Sequence, residues 1–546
     1  MANHYSTSKK IWYGPNCEGT FLNLCLGQVI LSKLKATNPK RVLEVEHESG
    51  ASLTAKEIHS QTITVAQNLM RLGVKKDDIV IVFSKSNIKI TPITFALYII
   101  GAPVNFFYLD LEGDAIKYYF EKLDPTVILY EEEFKSEIFL NLQNLKLTKL
   151  KYTFSLDSKN EPIDEILFKS SIEDIENFQP PYIGDPNEVI AVLPFTSGST
   201  GMPKIVMQSH AMILQSVLNK WWQMDSNSVV CVLSDLRWMD QVGMMLQEVF
   251  FNVKRIYTSK CEKDFDETYE FELLCKNKVT HFFTIPILIL RTLRNAVESN
   301  TISKLYHLKT LLVGGEAVTE SLVKYLSEVV PKCKIISSYG MTELDVKIAS
   351  DEEVIGKMVN GGILANGYMA KIIDEHGNSL GPNEKGRLCL KSKVPALGYF
   401  KNDRANTEHF KGDGWFTTEE YAFMDSNHLL NVIIRFKYLL RFNGKFVDPT
   451  AVENIVNNFP KVQISALVGH SDNGSLTSQV GTLYVLIGND INRDNIENEL
   501  KTLLKNYLIK NNQIGLVRYF QLVDRMPLLN YCKINRTVLS EMAAKN

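Results

Sequence analysis

The stretch of this chain best equipped for chemistry is residues 196–204, TSGSTGMPK, set between the apolar runs VIAVLPF and IVM. Its glycines let backbone N–H groups approach an oxyanion closely, its hydroxyls add donors, and Lys204 adds a positive charge. Such a set suits an anion, with polyphosphate the obvious guest. A plain Gly/Ser-rich surface turn is the other reading of the same composition. The loop is not a Walker A motif, because Pro203 precedes Lys204 and a β-branched strand candidate follows it.

Two later segments have a related form. Residues 310–313 (TLLV) run into Gly314-Gly315-Glu316-Ala317, and residues 334–338 (KIISS) run into Tyr339-Gly340-Met341-Thr342-Glu343. Each reads as a strand leading into a loop with glycine. A carboxylate near phosphates needs a cation between them, so Glu343 is a candidate Mg²⁺ ligand. The alternative is an acidic residue favoured by the dipole at a helix N-terminus.

The elements that must position these loops alternate. Residues 54–73 carry Ile58, Ile63, Ala66, Leu69 and Leu72 at helical spacing and end at Gly73. Short apolar runs at 78–83, 127–130, 189–193, 229–233, 281–284 and 310–313 predict strands. Strand and helix in alternation to about residue 340 predict an α/β fold whose sheets are mostly parallel and flanked by helices, with ligands beyond the carboxyl ends of the strands. Residues 90–109 are free of charge, but Pro92, Gly101, Pro103 and Asn105 interrupt them, which favours a buried helix turning into a strand over a transmembrane segment. After a strand at 427–434 and the basic break Arg435-Phe436-Lys437, a smaller α+β pattern follows: strands at 464–468, 479–487 and 517–522, and a helix at 496–508.

At 546 residues the chain should form several folding units. A net charge of −2 argues against nucleic acid as the main partner. The eight cysteines form no CxxC pair, so neither a zinc knuckle nor a disulfide framework is signalled, and a reducing compartment fits. The N-terminus, MANHYSTSKKIWYG, lacks the apolar core of a signal peptide, pointing to an intracellular protein. Ala544-Lys545-Asn546 begins like a peroxisomal tripeptide but lacks its final Leu, leaving peroxisome and cytoplasm both open.

TSGSTGMPK, the GGEA turn, YGMTE, GWFTTEE, RFKYLLRFNGKFVDPTAVE and PLLNYCKINR occur in the order found in the adenylate-forming (ANL) superfamily, which the chain resembles from roughly residue 20 to 540. The detail around SDLRWMDQVG looks most like the insect luciferase-like acyl-CoA synthetases, with coumarate–CoA ligases close by. The resemblance implies a large N-terminal domain, 1–434, that binds ATP and the acid, and a small mobile α+β C-terminal domain, 435–546. It implies ATP, Mg²⁺ and coenzyme A as small-molecule partners of a carboxylic acid. Thr196, Ser197, Gly198, Ser199, Thr200, Gly201 and Lys204 would wrap the β- and γ-phosphates. Gly315, Glu316 and Ala317, with Tyr339, Gly340 and Met341, would hold the adenine. Thr342 would meet the α-phosphate, Glu343 the Mg²⁺ and Glu420 the ribose hydroxyls, with Arg435 a further nucleotide-binding residue. Trp238, Gly314 and Gly315 would border the acid, the glycines leaving room for an acyl group. Lys533 matches the lysine that reaches carboxylate and α-phosphate during adenylation, and Arg441 stands where a lysine serves thioester formation.

The chain departs from the family pattern at several points. Ile205 stands where a glycine usually follows the Pro-Lys pair. Glu420 replaces the aspartate that grips the ribose hydroxyls, Ile434 replaces the hinge acid, Arg441 replaces a lysine, and Cys532 replaces the glycine before Lys533. Arg435 and Gly444 are retained. Arg237 and Asp240, three apart, are expected to pair with each other on a helix; otherwise Arg237 would point to a second carboxylate or polar head on the substrate. The expected function is an ATP-dependent acid–CoA ligase acting on fatty or aryl acids. The alternatives are a non-catalytic or half-reaction-only adenylate-binding protein and, third, a luciferase-like oxygenase.

Overall fold

The computed structural model describes the chain except residues 1–2, 16–22, 110, 144, 159–162, 170–174, 197–201, 220–221, 262–263, 267, 352–360, 460–461, 472–478, 488–492, 530–532 and 546, and gives backbone alone for residues 321, 346, 351, 494 and 533. Its first sheet has six strands. Ile190–Val192, Val104–Phe106, Val80–Phe83, Val127–Tyr130 and Tyr152–Ser155 run parallel, and Gln208–Ser209 adds an antiparallel edge. Residues along Val80–Phe83 alternate in destination. Val80 and Val82 enter the core shared with the helices Leu26–Ala36, Ala55–Arg71 and Ile90–Ile100, whereas Ile81 and Phe83 enter a separate aromatic-rich cluster. A sheet covered on both faces reads as a continuous apolar run, which is what residues 79–83 show.

The second sheet has fifteen strands and two characters. Val42–Glu46, Lys254–Tyr257, Val229–Val232, His281–Thr284, Thr310–Gly314 and Lys334–Met341 are parallel neighbours. From there the sheet continues antiparallel through Asp345–Asp351, Gly361–Leu364, Leu430–Arg435, Phe416–Met424, Gly386–Ser392 and Tyr368–Ile373. The α/β class stands, and the alternation predicted to end near residue 340 ends there. Met341 pairs with Asp345, so the reversal is a tight turn that needs no crossover helix. The strand expected to stop at Ser338 therefore runs on to Met341, with an irregular register between Tyr339 and Met341 that turns this segment relative to its neighbour.

The helix expected over 54–73 is Ala55–Arg71, started by a Thr54/Glu57 capping box. The charge-free run is the helix Ile90–Ile100, closed by Gly101 at φ +77, followed by the strand Val104–Phe106. Among the described residues no helix is long and apolar enough to cross a membrane. Toward the C-terminus, Val462–Ser471, Gln479–Ile487 and Val517–Val523 form a three-stranded sheet against the helices Thr450–Asn457, Arg493–Lys510 and Arg536–Lys545. The small hairpin Leu440–Phe442/Lys445–Val447 precedes them.

A buried ionic knot ties the parallel edge of the large sheet to two helices. Arg255, 3% exposed, donates to Glu44 from the adjacent strand, to Glu248 Oε2 at 2.6 Å and to Thr91 Oγ1 at 2.9 Å. Both carboxylates are 0% exposed. One guanidinium faces two buried carboxyls, and burial pushes Glu248 well above the usual carboxylate range, with Glu44 adding to the rise and Arg255 opposing it. Burial raises Glu44 as well, against the lowering effects of Arg255 and Thr91, and Glu248 is the one pushed well above its ordinary value. Its folded-state pKa is raised, so its contribution to stability is full below the ordinary carboxylate range and is lost as pH climbs toward the folded value. Glu248→Gln, which mimics the protonated form, should gain in thermal midpoint relative to the parent as pH rises from about 5 to about 8. Arg255→Met, which strands both carboxyls, should destabilise by about 3–5 kcal/mol. A pH-independent gap between Glu248→Gln and the parent would contradict this assignment.

Candidate active site

The strand ends converge on one cleft of about 1780 Å³. Val232 and Leu233, Phe283 and Thr284, Gly314 and Gly315, and Ser338 through Glu343 line it, each pair or run at the carboxyl end of a parallel strand. Thr196 and Lys204 close it from the smaller sheet, and Glu453, Ile534 and Arg536 close it from the C-terminal unit.

The loop 196–204 is pinched at its base. Phe195 and Ile205 form an antiparallel bridge, Thr196 N–H donates to the Lys204 carbonyl at 2.8 Å, and Lys204 N–H donates to Thr196 Oγ1 at 3.0 Å. Tyr119 anchors the same loop by donating to the Pro203 carbonyl at 2.5 Å. Ser197, Gly198, Ser199, Thr200 and Gly201 lie outside the described residues. The Lys204 side chain turns into the cleft, with Nζ 3.3 Å from His409 Nε2 and 5.0 Å from the centre of the Tyr399 ring.

Glu343 accepts from the Tyr399 hydroxyl at 2.7 Å, and burial pushes the Tyr399 phenol up, with the Glu343 charge adding to it. Gln208 donates to the Thr342 carbonyl at 2.7 Å, fixing the end of the YGMTE segment. Burial likewise raises the Tyr339 phenol, with Glu420 reinforcing the rise. Glu420 and Arg435 are directly opposite on paired strands, Oε1 to Nε 3.6 Å. Ile434 lines the same wall.

The glycine turn has a different cause from the one expected. A Cβ on Gly314 would sit 2.7 Å from the Ser338 carbonyl, so the neighbouring strand takes up the space that the sequence reading left to an acyl group. Gly315 holds φ +81, a conformation that favours glycine and delivers Glu316 into the cleft. The Arg237 expectation is also revised. Arg237 pairs with Asp235 at 3.1 Å and stacks on Tyr108 at 4.3 Å, while Asp240 accepts from Ser234 at 2.8 Å. Trp238 borders the cleft.

The C-terminal unit reaches the cleft through main chain and leaves Arg441 outside it. Ile534 N–H donates to Glu316 Oε1 at 3.1 Å, so the backbone of the strand Lys533–Ile534 stands at the glycine turn. Arg536 holds that strand from behind through two 2.7 Å bonds to Glu453 and a 3.1 Å bond to the Leu467 carbonyl. Cys532 lies outside the described residues. Arg441 is on the exposed hairpin, its N–H on Gln479 Oε1 at 2.8 Å and its guanidinium over Phe446 at 5.0 Å, and it is not among the residues lining the cleft. Sequence reasoning gave no role to Gln208, Tyr399, His409, Glu453 or Arg536. Of these Arg536 lies in PLLNYCKINR and Glu453 closes RFKYLLRFNGKFVDPTAVE, whereas Gln208, Tyr399 and His409 lie outside every quoted motif.

The family and the fold both have counterparts among known proteins. The AMP-binding enzyme family model matches residues 33–400. The 2-succinylbenzoate–CoA ligase of Oceanobacillus iheyensis is 24% identical over 480 residues, covering 85% of this chain and 90% of the relative. Among solved structures, the anthranilate CoA ligase AuaEII in complex with anthranoyl-AMP superposes with a TM-score of 0.84 at 18% identity, over 96% of this chain and 98% of that one. The luciferase-like enzyme of the nonluminescent mealworm Zophobas morio gives 0.68 at 23% identity, over 78% of this chain and 98% of that one. On the extent of the family match, this chain belongs to the AMP-binding enzymes.

Proposed function

We propose that the protein is an ATP-dependent carboxylic acid–CoA ligase acting on a fatty or aryl acid. The carrying observation is the Ile534–Glu316 bond, which brings the Lys533 strand to the same turn that faces Tyr339 and the loop 196–204. In the first step an acid oxygen forms a bond to the α-phosphorus of ATP, the bond to the bridging oxygen breaks, and pyrophosphate leaves. In the second, the sulfur of coenzyme A bonds to the acyl carbon and AMP leaves. Neither step asks for covalent chemistry from the protein, so positioning and electrostatic stabilisation carry the rate.

In this reading Thr196 through Lys204 holds the β- and γ-phosphates. Glu316, Ala317, Tyr339, Gly340 and Met341 hold the adenine, Glu420 the ribose hydroxyls and Thr342 the α-phosphate, with Arg435 a further nucleotide-binding residue. Lys533 meets the acid's carboxylate and the α-phosphate. Trp238 and the turn Gly314-Gly315 border the acid. Glu343 suits Mg²⁺, which takes one or two protein carboxylates and fills its remaining positions with phosphate oxygens and water. Among the described residues no group of three or more His, Cys, Asp or Glu forms a dedicated metal cage, in keeping with that mode. Mg²⁺ bound there would neutralise charge on the departing pyrophosphate. Domain 435–546 would reorient about Arg435 between the two steps.

A second reading is favoured by one specific set of positions. Ile434 puts an apolar side chain at the expected hinge, and Arg441 sits outside the cleft. Both bear on the second step alone, and an enzyme that adenylates well and transfers slowly would follow.

ATP–pyrophosphate exchange across a panel of fatty and aromatic acids should find a substrate, and Lys533→Ala should cut exchange by about 10²–10³-fold, the loss typical of one transition-state donor. ATP binding without exchange for any acid would favour a binding protein instead. For the second step, Arg441→Lys should raise the rate of thioester formation from preformed acyl-adenylate while leaving exchange within about twofold. An unchanged thioesterification rate would remove Arg441 as the reason for a slow second step.

A further inference from the structure

The environment of the Lys204 ammonium contains a residue that neither the motif nor the proposed roles account for. His409 ends the helix Asp403–His409 and is 5% exposed, yet its ring edge reaches the cleft. Its Nδ1 lies 2.9 Å from the Thr417 carbonyl, and its Nε2 lies 3.3 Å from Lys204 Nζ. A carbonyl oxygen only accepts and an ammonium only donates, so the ring must carry its proton on Nδ1 and accept through Nε2. This is the neutral imidazole in a single tautomer. The ring is fixed further by stacking on Phe416, centroids 5.6 Å apart at 17°, and by an edge contact with Tyr399 at 5.9 Å.

Tyr399 supplies the second surface, its ring 5.0 Å from Lys204 Nζ and its hydroxyl engaged by Glu343. The partners that fix the ammonium are therefore a neutral nitrogen lone pair and a ring face. Neither cancels its charge. A carboxylate in the place of His409 would hold the lysine as firmly but would have to be displaced, or left as a repelling neighbour, when a polyphosphate arrived.

We propose that His409 is a positioning residue for Lys204: its neutral imidazole, locked by Thr417, aims at the β- and γ-phosphates of ATP an ammonium that makes no ion pair among the described residues. This rests on the reading of Lys204 as the polyphosphate cation. The β- and γ-phosphates leave as pyrophosphate and are absent from AMP, so His409 should matter for ATP and hardly at all for AMP.

The test compares the full-length parent with His409→Asn, His409→Gln, His409→Phe and Lys204→Ala. Dissociation constants for MgATP and for AMP are measured by calorimetry, alongside KM for ATP and kcat in pyrophosphate exchange. Asn can keep the bond to Thr417 but is too short to accept from Lys204, whereas Gln presents an oxygen near the position of Nε2. Loss of one hydrogen bond to a charged group predicts that His409→Asn and His409→Phe weaken ATP binding by about 10-fold. AMP binding and kcat at saturating ATP should stay within about twofold, the pattern of lost ground-state binding. His409→Gln should recover most of the ATP affinity. Equal weakening by Asn and Gln, parallel loss of ATP and AMP affinity, or no change in either would overturn the proposal. Lys204→Ala separates the two levels. If it keeps the parental preference for ATP over AMP, the phosphate role of Lys204 falls and His409 falls with it; if it loses that preference while His409→Asn keeps it, the His409 proposal alone fails.

Discussion

The hydrogen bond from the Ile534 backbone to Glu316 is the contact on which the catalytic reading of this structure depends, because it joins the C-terminal unit to the floor of the cleft. A hydrogen bond from a backbone N–H to a carboxylate is stronger than one between neutral groups, and it fixes main chain rather than a flexible side chain. Its two ends are each built in. Glu316 is delivered by Gly315 in the left-handed region, and that turn is set by Gly314, whose backbone packs where a side chain would strike the Ser338 carbonyl. On the other side, Arg536 clamps the strand through both oxygens of Glu453, and its guanidinium is held above its ordinary value by that carboxylate against the opposing effect of burial. A change at Gly314 would therefore be felt at Lys533 through four covalently or hydrogen-bonded links.

The remainder of the site follows from where parallel strands end. Each crossover returns the chain to the same side of the sheet, so side chains following Val229–Val232, His281–Thr284, Thr310–Gly314 and Lys334–Met341 meet without any long-range instruction. The change to antiparallel pairing after Met341 then brings in residues that the parallel half could not supply. Glu420 and Arg435 face each other only because Phe416–Met424 and Leu430–Arg435 pair in that register. One sheet thus presents a nucleotide with loop ends on one side and strand faces on the other.

Local pattern made much of this legible. The strands at 127–130 and 281–284 fall on the observed residues, and the helix and strand within 90–109 divide at Gly101, because apolar period and glycine punctuation are short-range signals. The loops TSGSTGMPK, GGEA and YGMTE carry their chemistry in their own composition. What sequence could not give was partnership at a distance. Ser338 was expected to end a strand that pairing with Asp345–Asp351 extends to Met341. Arg237 was matched to Asp240 by helical spacing, but Trp238 precedes the helix Met239–Phe251, and the turn before it sets Arg237 beside Asp235. The room ascribed to Gly314 reflected its missing side chain without knowledge of the strand that fills the gap.

The cations of this protein divide by the partners they keep. Arg255, Arg536 and Arg237 each lie against carboxylates; Arg255 and Arg237 are buried and Arg536 is largely covered, where an unpaired charge would be costly. Such pairs are structural, since a guanidinium already matched to a carboxylate has little field left for a third group. Lys204 is held instead by an imidazole nitrogen and a phenol ring. Opposite charges about 4 Å apart interact by about 4 kcal/mol at the dielectric of a partly exposed site. An ammonium whose neighbours leave that energy unspent can direct it to an incoming anion, and one that has been neutralised cannot. The same reasoning separates Arg435, which already faces Glu420, from Lys204.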